Sequence, residues 1–150
     1  MEVRHGEYLI SDDPARLDVA AIHAYLSRSY WAEGIPLATV QRALQGSLCL
    51  GLYTADGAQI GLVRIISDFA TYAYFCDVYV LEAHRGRGLA KAAMSAALAH
   101  PKLQGQRRLC LITRDAHRLY AQLGFTPLAR PEGHMEKLTP GVYRQPASPP

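Results

Sequence analysis

The sequence predicts an α/β (α+β) domain on a mixed central sheet, and three features predict it. Apolar spacing near ~3.6 residues marks two early segments, gives way to a period of about 2 in the middle, and returns from Gly88 onward. Between Leu48 and Val80, three strand-like runs follow one another closely, which makes an antiparallel meander. Beyond them a helix separates two strand-like runs, and that order implies a parallel pair joined by a right-handed crossover.

The first extended piece runs from Tyr8 to Ile10. Asp12 or Asp13 then caps a helix with Pro14 in its first turn and with Val19, Ile22 and Leu26 on one face. A linker, Tyr30-Trp31-Ala32-Glu33-Gly34-Ile35-Pro36, leads to a second short helix that turns Leu37, Val40 and Leu44 inward. Leu48, Leu50 and Leu52 alternate ahead of a turn at Ala55-Asp56-Gly57, and Ile60 to Ile66 completes a hairpin. Tyr72 to Val80 is the next strand. From Gly88, the stripes Leu89/Ala93/Ala97 and Ala90/Met94/Leu98 make a helix that ends at His100-Pro101. Leu109 to Thr113 is a short strand, and Asp115 is placed to cap a helix with Ala116, Leu119, Tyr120 and Leu123 on one face, closed by Gly124. On this count the parallel pair falls at about the fourth and fifth strands, and residues 134 to 138 add a last strand.

The 150 residues, 49% hydrophobic and 19% charged, suit one domain over residues 1–138 with a loose tail over 139–150, which ends Pro146-Ala147-Ser148-Pro149-Pro150. The 12 glycines and 9 prolines are too scattered for a collagen or low-complexity chain, and the aliphatic content is too high for disorder. No apolar run approaches the ~18 residues of a membrane-spanning helix. Met1 to Glu7 carries no apolar core of a secretory signal, so a cytoplasmic protein without membrane association is expected. Cys49, Cys76 and Cys110 lie far apart and none of the six histidines forms a close ligand pair, so no metal site is expected. Net charge is only +3, but Arg85/Arg87, Arg107/Arg108 and Arg114/Arg118 cluster; that pattern suits a phosphorylated ligand, a nucleic acid or simply a solvated face.

The most informative segment is Val78-Tyr79-Val80-Leu81-Glu82-Ala83-His84-Arg85-Gly86-Arg87-Gly88-Leu89-Ala90, a strand entering a Gly/Arg turn that opens a helix. Amides at a helix start lack intrahelical acceptors, and small residues admit an anion, so such a turn can hold a phosphate or pyrophosphate. A nucleotide-binding P-loop is disfavoured because no Gly-Lys-Ser/Thr follows, and a dinucleotide fingerprint fails because Lys91 stands where the third glycine belongs. A tight turn with solvated arginines is the plain alternative.

The combination Val78-x-Val80, Arg85-x-x-Gly88-x-Ala90 and Leu119-Tyr120-x-x-Leu123-Gly124-Phe125 resembles the GNAT superfamily of acyl-CoA-dependent N-acetyltransferases, over essentially the whole domain. The resemblance implies a GNAT-like mixed sheet whose parallel pair is splayed at a bulge, flanked by about four helices. It implies transfer of an acetyl group from acetyl-CoA to an amine of a small molecule, by direct attack in a ternary complex and without a metal. In that family the turn corresponding to Arg85, Gly86, Arg87, Gly88, Leu89 and Ala90 wraps the coenzyme A pyrophosphate with main-chain amides, and Lys91 adds charge. Val78, Tyr79 and Val80 pair with the pantetheine arm like a neighbouring strand, and the amide near Val78 serves the developing oxyanion. Nucleic acid then becomes a weak explanation of the arginines, and a homodimer is left open. A non-catalytic acyl-CoA-binding module on the same fold is the alternative function.

Tyr120 corresponds to the family tyrosine near the cofactor sulfur, where a phenol can protonate a leaving thiolate. Otherwise it is an inward aromatic between Leu119 and Leu123. Asp77 is a carboxylate in an otherwise apolar strand, which suits a base, a partner for a cationic substrate, or an ion pair with Arg64. Glu82 is a poorer base, and water is a third choice. Asp115 stands where many relatives have an asparagine that contacts the pantetheine arm, although helix capping alone explains it. Tyr30 and Trp31, with Glu33 nearby, offer a wall for a cationic amine or else plug the core.

Overall fold

The computed structural model describes residues 1–143. Six strands lie side by side in chain order: β1 (Glu2–His5), β2 (Tyr8–Ser11), β3 (Leu48–Tyr53), β4 (Gln59–Ser67), β5 (Tyr72–Val80) and β6 (Arg108–Leu111). Pairing is antiparallel from β1 through β5, and β5 with β6 is parallel. Four α-helices accompany them: α1 (Val19–Leu26), α2 (Leu37–Gln45), α3 (Leu89–Leu98) and α4 (His117–Ala121).

The meander forms as its alternation requires. Leu48, Leu50 and Leu52 of β3 join Val63, Ile65 and Phe75 on the face covered by α3, where Ala93, Met94 and Ala97 pack against them. Alanines on α3 let the helix settle close to the sheet. The opposite face carries Cys49, Leu62 and Tyr79 under Ile22, Leu26, Val40 and Leu44 of α1 and α2. Each fully buried leucine or isoleucine in these two layers contributes roughly 1.5–3 kcal/mol.

Several expectations need correction. The parallel pair is the fifth and sixth strands, because β1 precedes the first expected one; all four of its side chains are exposed, so it shows no alternation, and a turn with Gly6 at φ 60° pairs it to β2. The single first helix is two pieces. Asp13 accepts from the Ala15 amide and caps only a 3-10 turn, Pro14–Arg16, while Asp18 caps α1 by accepting from Ala21 N–H at 2.9 Å. Extended backbone at Leu17 separates them. Leu37 points outward, 43% exposed, because it occupies the first position of α2 while Val40 and Leu44 face the core. Strand β6 stops at Leu111. Residues 134 to 138 form no strand: the Pro131–Gly133 turn redirects the chain just before them, and Met135 and Leu138 are exposed, leaving no buried face to hold them against β6. Of the expected tail, Tyr143 packs against the α1/α2 layer, and residues 144–150 lie outside the described ones.

Candidate active site

The β5/β6 ladder runs from Tyr72 opposite Arg108 to Phe75 opposite Leu111 and ends there. Just beyond, the β4/β5 register shifts: Leu62 faces Tyr79 and Arg64 faces Cys76, so Asp77 and Val78 both lie opposite Val63. That is a bulge, and Asp77 takes the left-handed φ of 49° within it. The two parallel strands part at this point, and among the described residues the Cys76 to Val80 edge of β5 has no neighbouring strand. A cleft of about 930 Å³ opens alongside, with Val78, Tyr79 and Val80 on its floor.

One end of the cleft is the glycine turn. Gly86 and Gly88 have φ of 76° and 74°, conformations that side chains with a Cβ resist, and Gly88 is the residue from which α3 starts. The first helical bond is Ala92 N–H to the Gly88 carbonyl, 2.9 Å. The amides of Leu89, Ala90 and Lys91 precede it and have no acceptor among the described residues, so they are open to an anion. Arg85 braces the turn: its Nε donates to the Val80 carbonyl (2.9 Å) and its Nη2 to the Tyr25 hydroxyl (3.2 Å). Arg87 turns away from the cleft, donating to the Tyr8 hydroxyl at 2.7 Å, while the His5 ring bonds the Arg87 carbonyl. Lys91 lines the cleft and donates to Gln122.

Tyr120 stands in the middle. The chain after α4 folds back so that Phe125 N–H reaches the Tyr120 carbonyl, with Gly124 at φ 86°, and the Phe125 ring meets Phe75 and Tyr120 edge to face. The Leu-Tyr-x-x-Leu-Gly-Phe motif is thus a packing device that fixes the tyrosine ring. Its side chain is buried but lines the cleft, and no described residue hydrogen-bonds its hydroxyl. Burial, with the Tyr30 hydroxyl and the Asp115 carboxylate nearby, pushes its phenol up to about 12.

At the other end, Asp77 is held from two sides. Arg64 Nε donates to one carboxylate oxygen at 2.6 Å and Trp31 Nε1 to the other at 2.9 Å. Tyr30 meets Trp31 edge to face at 4.9 Å, and the Arg114 guanidinium lies over the Tyr30 ring, 3.8 Å from its centroid. Tyr30 and Trp31 are therefore cleft wall, with Asp77, rather than core plugs. Glu33 does not line the cleft, and Glu82 is exposed and paired with Arg28. Asp115 lines the cleft but caps nothing; α4 begins after Ala116, whose N–H is taken by the Thr113 hydroxyl at 3.0 Å. The Thr113 bond closes a turn ahead of α4, and the helix itself has no side-chain cap. Sequence reasoning missed Tyr25, stacked on Tyr79 at 3.7 Å, and the Arg114 contact, since both join residues distant in the chain without a motif.

This geometry defines an acyltransferase scaffold, and comparisons with known proteins agree. The sequence profile described as the Acetyltransferase (GNAT) family matches residues 13–125, and the chain belongs to that family. It is similar to a Gibberella zeae protein named as an acetyltransferase by assignment, 35% identical in an alignment that covers 78% of this chain and 77% of that one. It is also similar to the crystal structure of a protein from Xanthomonas campestris pv. campestris assigned to the same family. That match has a TM-score of 0.89 and 51% identity and covers 95% of this chain and 99% of the other. The fold is shared as well by a Clostridium acetobutylicum protein, a predicted acetyltransferase solved with acetyl-CoA (TM-score 0.64, 17% identity, 92% and 96% covered). Among the described residues no helix is long and apolar enough to cross a membrane.

Proposed function

We propose that the protein is an N-acetyltransferase that moves an acetyl group from acetyl-CoA to a small-molecule amine bound in the same cleft. The observation that carries this reading is the bulge at Asp77, which opens β5 from β6 directly between an unpaired amide turn and Tyr120. The residues present fit the cofactor. The turn from Arg85 through Lys91 would hold its diphosphate on the amides of Leu89, Ala90 and Lys91, and the open edge of Val78 to Val80 would pair with its amide-bearing arm. Acetyl-CoA, when bound, supplies the thioester acyl group.

This chain's own groups then divide the remaining tasks. Tyr120 keeps its proton at the phenol oxygen through neutral pH and can donate it to a leaving thiolate. The Val78 amide is suited to a developing oxyanion. Asp77, with both oxygens engaged, orients Trp31 and the bulge, and the amine's proton passes to water. Three free thiols support a reducing, cytoplasmic setting. The test is thermal unfolding with acetyl-CoA, NAD and ATP, followed by thiol release against a panel of amines. A rise in Tm with acetyl-CoA alone and amine-dependent thiol release support the reading. Tight binding with no turnover on any amine would favour the acyl-CoA-binding module, and no Tm rise would overturn both.

A further inference from the structure

The acceptor end of the cleft has a charge arrangement that selects its substrate. The Asp77 carboxylate, which looks like a receptor for an ammonium group, is already matched by the Arg64 guanidinium; the two side chains are only 10% and 15% exposed, and Trp31 takes the remaining oxygen. Arg114 is the opposite case. No described residue accepts a hydrogen bond from it, and its nearest carboxylate, Asp115, is 3.8 Å away with both side chains about two-thirds exposed. The guanidinium is nevertheless held in place over the Tyr30 ring, and Arg114, Tyr30 and Tyr120 line the same cleft. A planar fork of donors, stacked on Tyr30 in the cleft and met only by one long, exposed contact to Asp115, is a receptor for an oxyanion.

We infer that the acceptor is an aminocarboxylate: an amine whose carboxylate pairs with Arg114 and whose apolar part lies along Tyr30 and Trp31. This rests on the acetyltransferase reading above. A carboxylate suits the site better than a phosphate, because Arg114 offers one guanidinium that Asp115 already balances in part, and Arg28 is committed to Glu82. A simple polyamine would meet the Arg114 guanidinium with the Asp115 carboxylate alone to offset the repulsion.

The experiment uses matched pairs, L-phenylalanine with 2-phenylethylamine and 4-aminobenzoate with aniline, titrated by calorimetry into protein loaded with coenzyme A. Coenzyme A binding itself, measured first, tests the acetyltransferase reading separately. The carboxylate-bearing member of at least one pair should bind roughly tenfold or more tightly, and Arg114→Gln should erase that ratio. Arg114→Lys, which keeps charge without the flat stack, should retain only part of it. 2-Aminoethyl phosphate is included, and its preference over the carboxylates would overturn the choice of anion. Equal binding within both pairs, no binding by either carboxylate, or a ratio that survives in Arg114→Gln would overturn the proposal. So would an Arg114→Gln protein that loses coenzyme A affinity while its ratio is unchanged.

Discussion

Arg64 and Asp77 form an ion pair, Nε to Oδ2 at 2.6 Å, across the bulge that separates the two parallel strands. Arg64 also donates to the Ser47 hydroxyl at 3.0 Å, so the guanidinium ties β4 to the end of α2 as well as to the bulge. Burial, the largest single influence, would lower the arginine's pKa, but Asp77 together with the neighbouring Cys76 and Cys49 turns the net shift upward, which keeps the group charged. The opening of the cleft is therefore built on a charge pair, and removing half of it tests how much.

Arg64→Met should leave Asp77 as an unpaired, largely buried carboxylate and cost about 3–5 kcal/mol of stability. Chemical denaturation measures it. Adding Asp77→Asn should recover a good part of the loss, since a neutral amide removes the stranded charge. Asn also tolerates the left-handed backbone at this position better than most residues. A loss below ~1 kcal/mol for the single variant would show that water screens the pair.

Gly88→Val should abolish the Tm rise caused by acetyl-CoA while leaving a folded protein. A Cβ there meets only the His5 ring, at 3.6 Å, but φ of 74° is strained for valine and the new side chain stands where an anion must approach the amides. Gly57→Val is the matched control. Its φ of 89° makes it comparably strained, and it sits in the β3/β4 turn with nothing near, so it should lose stability yet keep the acetyl-CoA response.

Alkaline pH should destabilise the fold through its buried thiols and phenols. Burial pushes Cys49 up to about 11 and Cys76, Tyr53 and Tyr120 up to about 12, and it raises Tyr79 as well. The unfolded chain releases these protons at about pH 8.5 to 10, where the native state still holds them, so the unfolded state binds fewer protons and stability falls with rising pH. The contribution is complete below the unfolded values and is lost as pH climbs through the folded ones. Tm measured in steps of pH should be level near about 8 and decline above about 9. Cys76→Ala combined with Tyr120→Phe should make the decline shallower; an unchanged slope would mean other groups drive it.

Much of this was legible in the sequence, for physical reasons. Leu48, Leu50 and Leu52 had to alternate because one face of β3 meets α3, and the glycines at 86 and 88 announced a turn that only glycine adopts easily. The element missed altogether, β1, is exposed on all its side chains and held by main-chain pairing to β2, which leaves no hydrophobic trace. The expected strand at 134–138 failed for the reverse reason: an apolar residue in an extended run says nothing about whether a face exists to bury it. At the site, the motifs marked the cofactor end, whereas Trp31 with Asp77 and Arg114 with Tyr30 are tertiary contacts between loops and a bulge, with no period or spacing to betray them.

Tyr120→Phe separates catalysis from packing. The ring lies against Phe125, which in turn meets Phe75, and phenylalanine preserves both edge contacts, so the variant should melt close to the parent and bind acetyl-CoA with nearly the same affinity. What it loses is the phenolic proton, which has no acceptor among the described residues and whose pKa burial pushes up to about 12. If that proton goes to the leaving thiolate, turnover on an accepted amine should fall by ~10²-fold or more, with the loss in kcat rather than in cofactor binding. Because the phenol stays protonated well past neutrality, the alkaline limb of the parent's pH profile below about 10 should belong to another group. The limb should persist in the Phe variant at reduced height. Tyr120→Ala is the complementary control: it removes the packing as well, leaves a cavity beside Phe125, and should cost about 3–5 kcal/mol of stability. Full turnover in Tyr120→Phe, with chemistry rate-limiting, would leave the tyrosine as a core residue at the cleft and assign the proton to water.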